Sequence, residues 1–210
     1  MKRFSAWTAV ILLFFAAVVA GRFALKNLRG AWPAIRKPPE DIARVINTNM
    51  AGFPLSLPDG FSISVFAEGL GAPRVLARDP RGTLLVSVPA DGRVLALPDR
   101  DRDGKADSVI SVAENLNKPH GLAFRCNSVS CKLFIAESHR VAAYAYDPDA
   151  LRARDPRTVV LLPDGGNHYT RTILFAPDGR LLISVGSSCN VCNEEDDRRA
   201  KILVADVDNP

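Results

Sequence analysis

The chain has 210 residues, enough for one ordinary domain plus a short appendage. Its 47% apolar and 24% charged residues are those of a globular protein, and its net charge of +4 is small. The Lys and Arg residues are scattered, with no stripe of basic and aromatic residues, which excludes a dedicated nucleic-acid surface.

The chain opens with Lys2 and Arg3, then an apolar run from Ala6 to Ala20 broken only by Thr8 and ended by Gly21-Arg22. A basic start, a compact apolar core and small residues at Val18-Val19-Ala20 describe a secretory signal. Arg22, Lys26 and Arg29 follow closely and leave an uncleaved membrane anchor open. Residues 1–21 are therefore expected to be an apolar signal or anchor helix. Both readings place the rest of the chain outside the cytoplasm, in the periplasm or secreted. Residues 22–58 read as a linker, because Pro33, Pro38, Pro39, Pro54 and Pro58 break any long period. A short helix through Asp41–Ile46 fits between them.

From residue 59 the chain repeats itself. Arg74-Val75-Leu76-Ala77, Asp79-Pro80-Arg81-Gly82 and Leu84-Leu85-Val86-Ser87-Val88 return as Arg171-Thr172-Ile173-Leu174, Ala176-Pro177-Asp178-Gly179 and Leu181-Leu182-Ile183-Ser184-Val185, each offset by 97 positions. A middle copy lies 46 positions after the first, where Phe66-Ala67-Glu68-Gly69-Leu70 and Pro73-Arg74 recur as Val112-Ala113-Glu114-Asn115-Leu116 and Pro119-His120. Short apolar strands between Asp-Gly turns, at a period of roughly 40–50 residues, match a four-stranded β-propeller blade. Helical solenoids fail because Gly and Pro interrupt every would-be helix. Residues 59–210 supply about three blades, whereas closed propellers have roughly four to eight. The expected architecture is all-β: part of a six-bladed ring, continued in a longer chain, with completion by oligomerisation the weaker alternative.

Four cysteines form two close pairs, Cys126 with Cys131 and Cys189 with Cys192. Local disulfides in an oxidising compartment are the simplest account. Zinc is disfavoured because the pairs fall on different blades. The stretch Asp99-Arg100-Asp101-Arg102-Asp103-Gly104-Lys105-Ala106-Asp107 has oxygen ligands at alternate positions and Gly at the turn, which suits calcium. Ile110 stands at the twelfth position instead of a bidentate Glu, so a solvated acidic turn stays open. The candidate ligands are Asp99, Asp101, Asp103 and Asp107.

The segments Asn167-His168-Tyr169-Thr170-Arg171-Thr172, Phe175-Ala176-Pro177-Asp178-Gly179 and Gly186-Ser187-Ser188-Cys189-Asn190-Val191-Cys192 resemble the glucose/sorbosone dehydrogenase family, in particular its sorbosone and pyranose dehydrogenase members. Leu57-Pro58-Asp59-Gly60-Phe61 fits the same resemblance, which spans residues 57–208. It implies oxidation of an aldose or sugar aldehyde with pyrroloquinoline quinone, calcium beside the quinone, and a respiratory electron acceptor. It also implies that His168 is the general base, taking the proton of the sugar hydroxyl; imidazole titrates near neutrality and suits the task. Without the resemblance His168 reads as a histidine in a polar turn.

Arg74, His120 and Arg171 are equivalent in the three copies, so they are expected near one end of the channel, where they could meet the carboxylates of the quinone. Capping of strands is the competing reading. Glucose dehydrogenases of the family carry a carboxylate that orients the base; the strand register puts Ser187 in that place. The acidic loop Glu194-Glu195-Asp196-Asp197 could overhang the channel mouth. The rival functional class is a non-catalytic propeller that binds a partner outside the cytoplasm, or an incomplete, inactive part of the enzyme. A propeller lactonase would need acidic residues where Arg and His stand.

Overall fold

The computed structural model describes residues 6–27, 51–52, 55–58 and 60–208, in two units, Met1–Ser64 and Val65–Pro210. The first unit contains helix α1, Ala6–Asn27. It does not stop at Gly21: Arg22, Ala24, Leu25 and Lys26 are all good helix formers and carry it six residues further. Among the described residues no helix is long and apolar enough to cross a membrane. The expected apolar signal or anchor helix over 1–21 is thereby corrected to a longer helix that takes in two basic residues. The short helix expected at Asp41–Ile46, and most of the linker over 22–58, lie outside the described residues.

The second unit is built from three antiparallel sheets. Sheet A contains β1 (Leu76–Arg78), β2 (Leu84–Val88), β3 (Arg93–Leu97) and β4 (Ile110–Ala113). Sheet B contains β5 (Leu122–Cys126), β6 (Cys131–Ala136), β7 (Arg140–Asp147) and β8 (Arg152–Leu161); sheet C contains β9 (Ile173–Phe175), β10 (Leu181–Val185) and β11 (Lys201–Ala205). Each sheet is a simple meander in chain order. The first strands lie side by side, β5 between β1 and β9. This is the arrangement of propeller-like blades, and the three sheets do not close a ring.

The 97-residue repeat is visible atom by atom. In sheet A the Val75 amide donates to Ser87 Oγ at 3.3 Å and the Ser87 amide to Val75 O at 3.0 Å. In sheet C the Thr172 amide donates to Ser184 Oγ and the Ser184 amide to Thr172 O, both at 2.9 Å. The turns between first and second strands also repeat. The Gly82 amide donates to Asp79 O at 3.0 Å and the Gly179 amide to Ala176 O at 2.9 Å, with both glycines at φ near +90° (90° and 86°), where a side chain would be strained.

Alternation along each strand sorts the apolar residues into separate cores. Leu133 and Ile135 of β6 face sheet A and pack with Leu85, Val94, Ala96 and Val112. Their neighbours Phe134 and Ala136 face sheet C and pack with Ile173, Leu181, Ile183 and Val185. The middle of sheet B is therefore buried on both faces, and Leu133, Phe134 and Ile135 of β6 each contribute about 1.5–3 kcal/mol by leaving water. The far face of sheet A (Val86, Val88, Leu95, Leu97) is covered by Phe66, Ala67 and Leu70. Among the described residues nothing covers the far face of sheet C. Leu174, Leu182 and Val204 form one cross-strand row, and Ile202 pairs with Ser184 beside it. Leu174, Ile202 and Val204 are 64%, 71% and 53% exposed.

Candidate active site

The equivalent residues Arg74, His120 and Arg171 precede the first strand of each sheet. The Arg74 amide donates to Ser87 O at 2.9 Å and the His120 amide to Ala136 O at 2.8 Å, so both sit at the same end of their sheets. Sheets B and C touch here through backbone: a Cβ on Gly121 would lie 2.5 Å from Arg171 O and 2.9 Å from Ile173 N. His120 Nδ1 lies 3.2 Å from the same Arg171 carbonyl. Burial holds the His120 imidazole below its ordinary value; the Arg171 carbonyl opposes this and the charge of Arg74 adds to it. Lys118, three residues after the left-handed Asn115, brings its ammonium 4.5 Å over the ring centre of Tyr169. Sequence reasoning missed Lys118 because it has no counterpart in the other two copies.

Arg171 turns inward. Its residue is fully buried, and its guanidinium donates to three backbone carbonyls: Nη1 to His168 O at 2.9 Å and Thr170 O at 3.1 Å, Nη2 to Pro163 O at 2.8 Å. Desolvation, then the neighbouring Arg199, lower its pKa, and Asp164 opposes them. Arg199 is also buried and holds the same loop, donating to Gly165 O at 3.2 Å and to Asp164 O. Two buried guanidinium groups thus fix the backbone of residues 163–170 from beneath. The repeat supplies no signal for this, because Arg171's equivalents Arg74 and His120 are not engaged in that way.

His168 rides on this loop with its imidazole exposed. The 187–194 loop lies against it: Asn167 N–H donates to Ser188 O at 2.8 Å, and Cβ atoms built on Gly166 and Gly186 would lie 2.8 Å from Ser188 Cα and 2.6 Å from His168 Cβ. The residue that meets the imidazole is Asn190, whose Oδ1 is 2.9 Å from His168 Nε2. Ser187, expected in the orienting place, instead donates its hydroxyl to Cys189 O at 2.9 Å. The enlarged loop carries the contact three residues beyond the position that strand register indicates.

Both cysteine pairs form disulfides, Cys126–Cys131 and Cys189–Cys192. The first joins directly paired residues at the β5–β6 hairpin. In the acidic loop, Glu194 Oε1 accepts the Ser188 amide at 2.8 Å, and Arg198 pulls Asp196 down to about 2. A cleft of about 590 Å³ lies between Pro163, Asp164, Ser188, Cys192, Glu194 and Arg199; His168 does not line it.

At the opposite end of sheet A, carboxylate oxygens of Asp99, Asp101 and Asp103 lie within 4.8 Å of one another. One oxygen of Asp99 is buried without a partner, while its other accepts the Gly104 amide at 3.2 Å. Asp107 is not in this cluster: it accepts the Arg100 amide at 2.8 Å.

Consecutive four-stranded meanders with their first strands side by side, and a histidine loop at one end of them, define a propeller-like protein with its candidate site on the strand-start loops. The chain belongs to the family described as TrAA12-like, whose model matches residues 55–207. It is similar to the pyrroloquinoline quinone-dependent pyranose dehydrogenase of Coprinopsis cinerea, 29% identical over 162 residues that cover 74% of this chain and 22% of that protein. It is also similar to the pyrroloquinoline quinone-dependent sugar dehydrogenase of Hypocrea jecorina (strain QM6a), 32% identical over 140 residues, 63% of this chain and 32% of that protein. Among solved structures, the holo form of the pyranose dehydrogenase PQQ domain from Coprinopsis cinerea matches with a TM-score of 0.61 and 26% identity, over 71% of this chain and 37% of that one. The chain spans about a fifth to a third of the length of the curated relatives it matches.

Proposed function

We propose that the chain carries the base-bearing part of a pyrroloquinoline quinone-dependent oxidoreductase that oxidises an aldose or sugar aldehyde, with His168 as general base. The observation that carries this reading is an exposed imidazole on a backbone locked by two buried arginines, with one ring nitrogen engaged by Asn190. Such a ring can accept a proton at its other nitrogen without reorganising first.

The donor set at the strand starts fits a quinone with three carboxylates. Arg74 is exposed and has no acidic partner among the described residues, Lys118 adds a second cation at a neighbouring loop, and His120, whose Nδ1–H faces the Arg171 carbonyl, offers a donor at Nε2 in its protonated form. These three would hold the carboxylates. Arg171 would serve by fixing the loop instead of touching the anion. When bound, the quinone supplies the two-electron acceptor for the substrate's hydride. His168 takes the proton of the substrate hydroxyl, and electrons leave for a respiratory acceptor. The carboxylates of Asp99, Asp101 and Asp103 suit a hard divalent ion, and we assign them to structural calcium remote from this chemistry.

The uncovered apolar face of sheet C supports a ring of more blades, six in the family reading, of which residues 59–210 contribute three. The two disulfides support a place outside the cytoplasm. The test is quinone titration with and without calcium, followed by sugar-dependent quinone reduction, on this chain and on one extended to the full ring. Arg74→Ala is expected to weaken quinone binding about 10-fold, the loss of one charge-assisted contact. His168→Ala is expected to lower turnover at least about 100-fold with binding retained. Absence of quinone binding by the full ring would leave a binding propeller and overturn the reading.

A further inference from the structure

We infer that Asn190 is the positioning residue of His168 and that the Cys189–Cys192 disulfide holds it in place, so that the neutral imidazole carries its hydrogen on Nε2 and presents Nδ1 as the proton acceptor. This rests on the reading of His168 as the base.

The contact is direct, Nε2 to Asn190 Oδ1 at 2.9 Å. An amide oxygen only accepts, so the ring nitrogen facing it bears the hydrogen, and the lone pair of the neutral ring is left on Nδ1. Among the described residues no carboxylate hydrogen-bonds this imidazole. An amide oxygen accepts from Nε2–H in the neutral and in the protonated ring alike. It therefore fixes orientation and tautomer without adding a charge that would favour the cation, as a carboxylate would.

Asn190 is short, and its place is set by its loop. It is one of two residues enclosed between Cys189 and Cys192, which are joined by a disulfide. The residues leading into that ring are held at three points: Ser188 N–H on Glu194 Oε1, Ser188 O on Asn167 N–H, and Cys189 O on the Ser187 hydroxyl. On the other side, His168 is held by Arg171 through its carbonyl and by the bare backbone of Gly186. Both partners of the hydrogen bond are exposed, where a contact between two free side chains would be worth little. Pre-organisation of both backbones is what makes it persist. Opening the disulfide removes the ring that encloses Asn190 and leaves the contacts that hold His168 on its own side in place.

The experiment is ¹⁵N–¹H NMR of the full chain labelled at histidine, with His168 assigned by His168→Ala and His120 and His139 as internal controls of folding. Nε2 protonated and Nδ1 bare is expected for neutral His168. Asn190→Ala is expected to give a mixture of tautomers, Asn190→Asp to retain Nε2–H, and the paired substitution Cys189→Ser with Cys192→Ser to give a partial mixture while the control signals stay in place. Nδ1–H in the native chain, or a tautomer unchanged by Asn190→Ala, overturns the proposal. In the quinone-loaded full ring Asn190→Ala is expected to lower kcat about 10–100-fold with KM within about threefold, since a misdirected base loses rate and not binding. If His168→Ala leaves turnover intact while Asn190→Ala still shifts the tautomer, the base reading fails and the positioning stands; if His168→Ala abolishes turnover and Asn190→Ala changes neither readout, the reverse holds.

Discussion

Arg171 shows how a single buried side chain can decide what a loop does. Three carbonyls, those of Pro163, His168 and Thr170, depend on its guanidinium. Arg171→Met keeps much of the volume but leaves those acceptors unpaired, and unpaired buried acceptors cost about 1–3 kcal/mol each unless water reaches them. Because the loop is partly solvated, a net loss of about 2 kcal/mol is expected, read as a lowered urea midpoint at unchanged slope. His120 gives a pH signature. Its folded pKa lies below the unfolded value of 6.5, so the unfolded state binds protons more readily. Stability from this group is present above that value and is lost as pH falls through the folded pKa. Urea midpoints should decline from about pH 7.5 to 5.5, where carboxylates stay ionised, and His120→Gln should flatten the decline. Neither role was legible in the sequence beforehand. The repeat correctly made Arg74, His120 and Arg171 equivalent, but equivalence of position says nothing about which side chain turns inward. Asn190 was hidden for another reason: its partner is 22 residues away, across a loop with no periodicity to carry a register.

The strands were the readable part of the molecule. Runs such as Leu84–Val88 and Leu181–Val185 carry their own β preference and follow turns whose glycines, Gly82 and Gly179, sit at positive φ, so local sequence and fold agree. The two disulfides differ at this scale. Cys126–Cys131 staples a hairpin already paired by β5 and β6, and closing so short a loop is worth about 2 kcal/mol in the chain-entropy account. Replacing both with Ser should lower thermal stability by about that much and leave the ring signals of His168 unmoved. The Cys189–Cys192 ring has no ladder to fall back on, because the whole segment between Val185 and Lys201 lies outside strands.

At the scale of the whole second unit, fold legibility came from the constant offset, which no sandwich topology explains. What that offset could not convey is the inequality of the three sheets. Sheet B is covered on both faces, sheet A is covered by its neighbour and by Phe66, Ala67 and Leu70, and sheet C faces water along Leu174, Ile202 and Val204. The chain is expected to bind an apolar dye such as ANS through that face, and Leu174→Lys with Ile202→Lys should reduce the fluorescence without loss of secondary structure.

The double burial of sheet B also ranks the backbone amides by how they can open. The ladder amides of β6, between two cores, have no route to solvent short of breaking the whole unit, so they should exchange with deuterium only through global unfolding and report its full free energy. Those of β11, which among the described residues is paired along one edge only, should exchange by local fraying. The middle repeat is then the protein's slowest clock, and the repeat that bears the histidine loop is among its fastest.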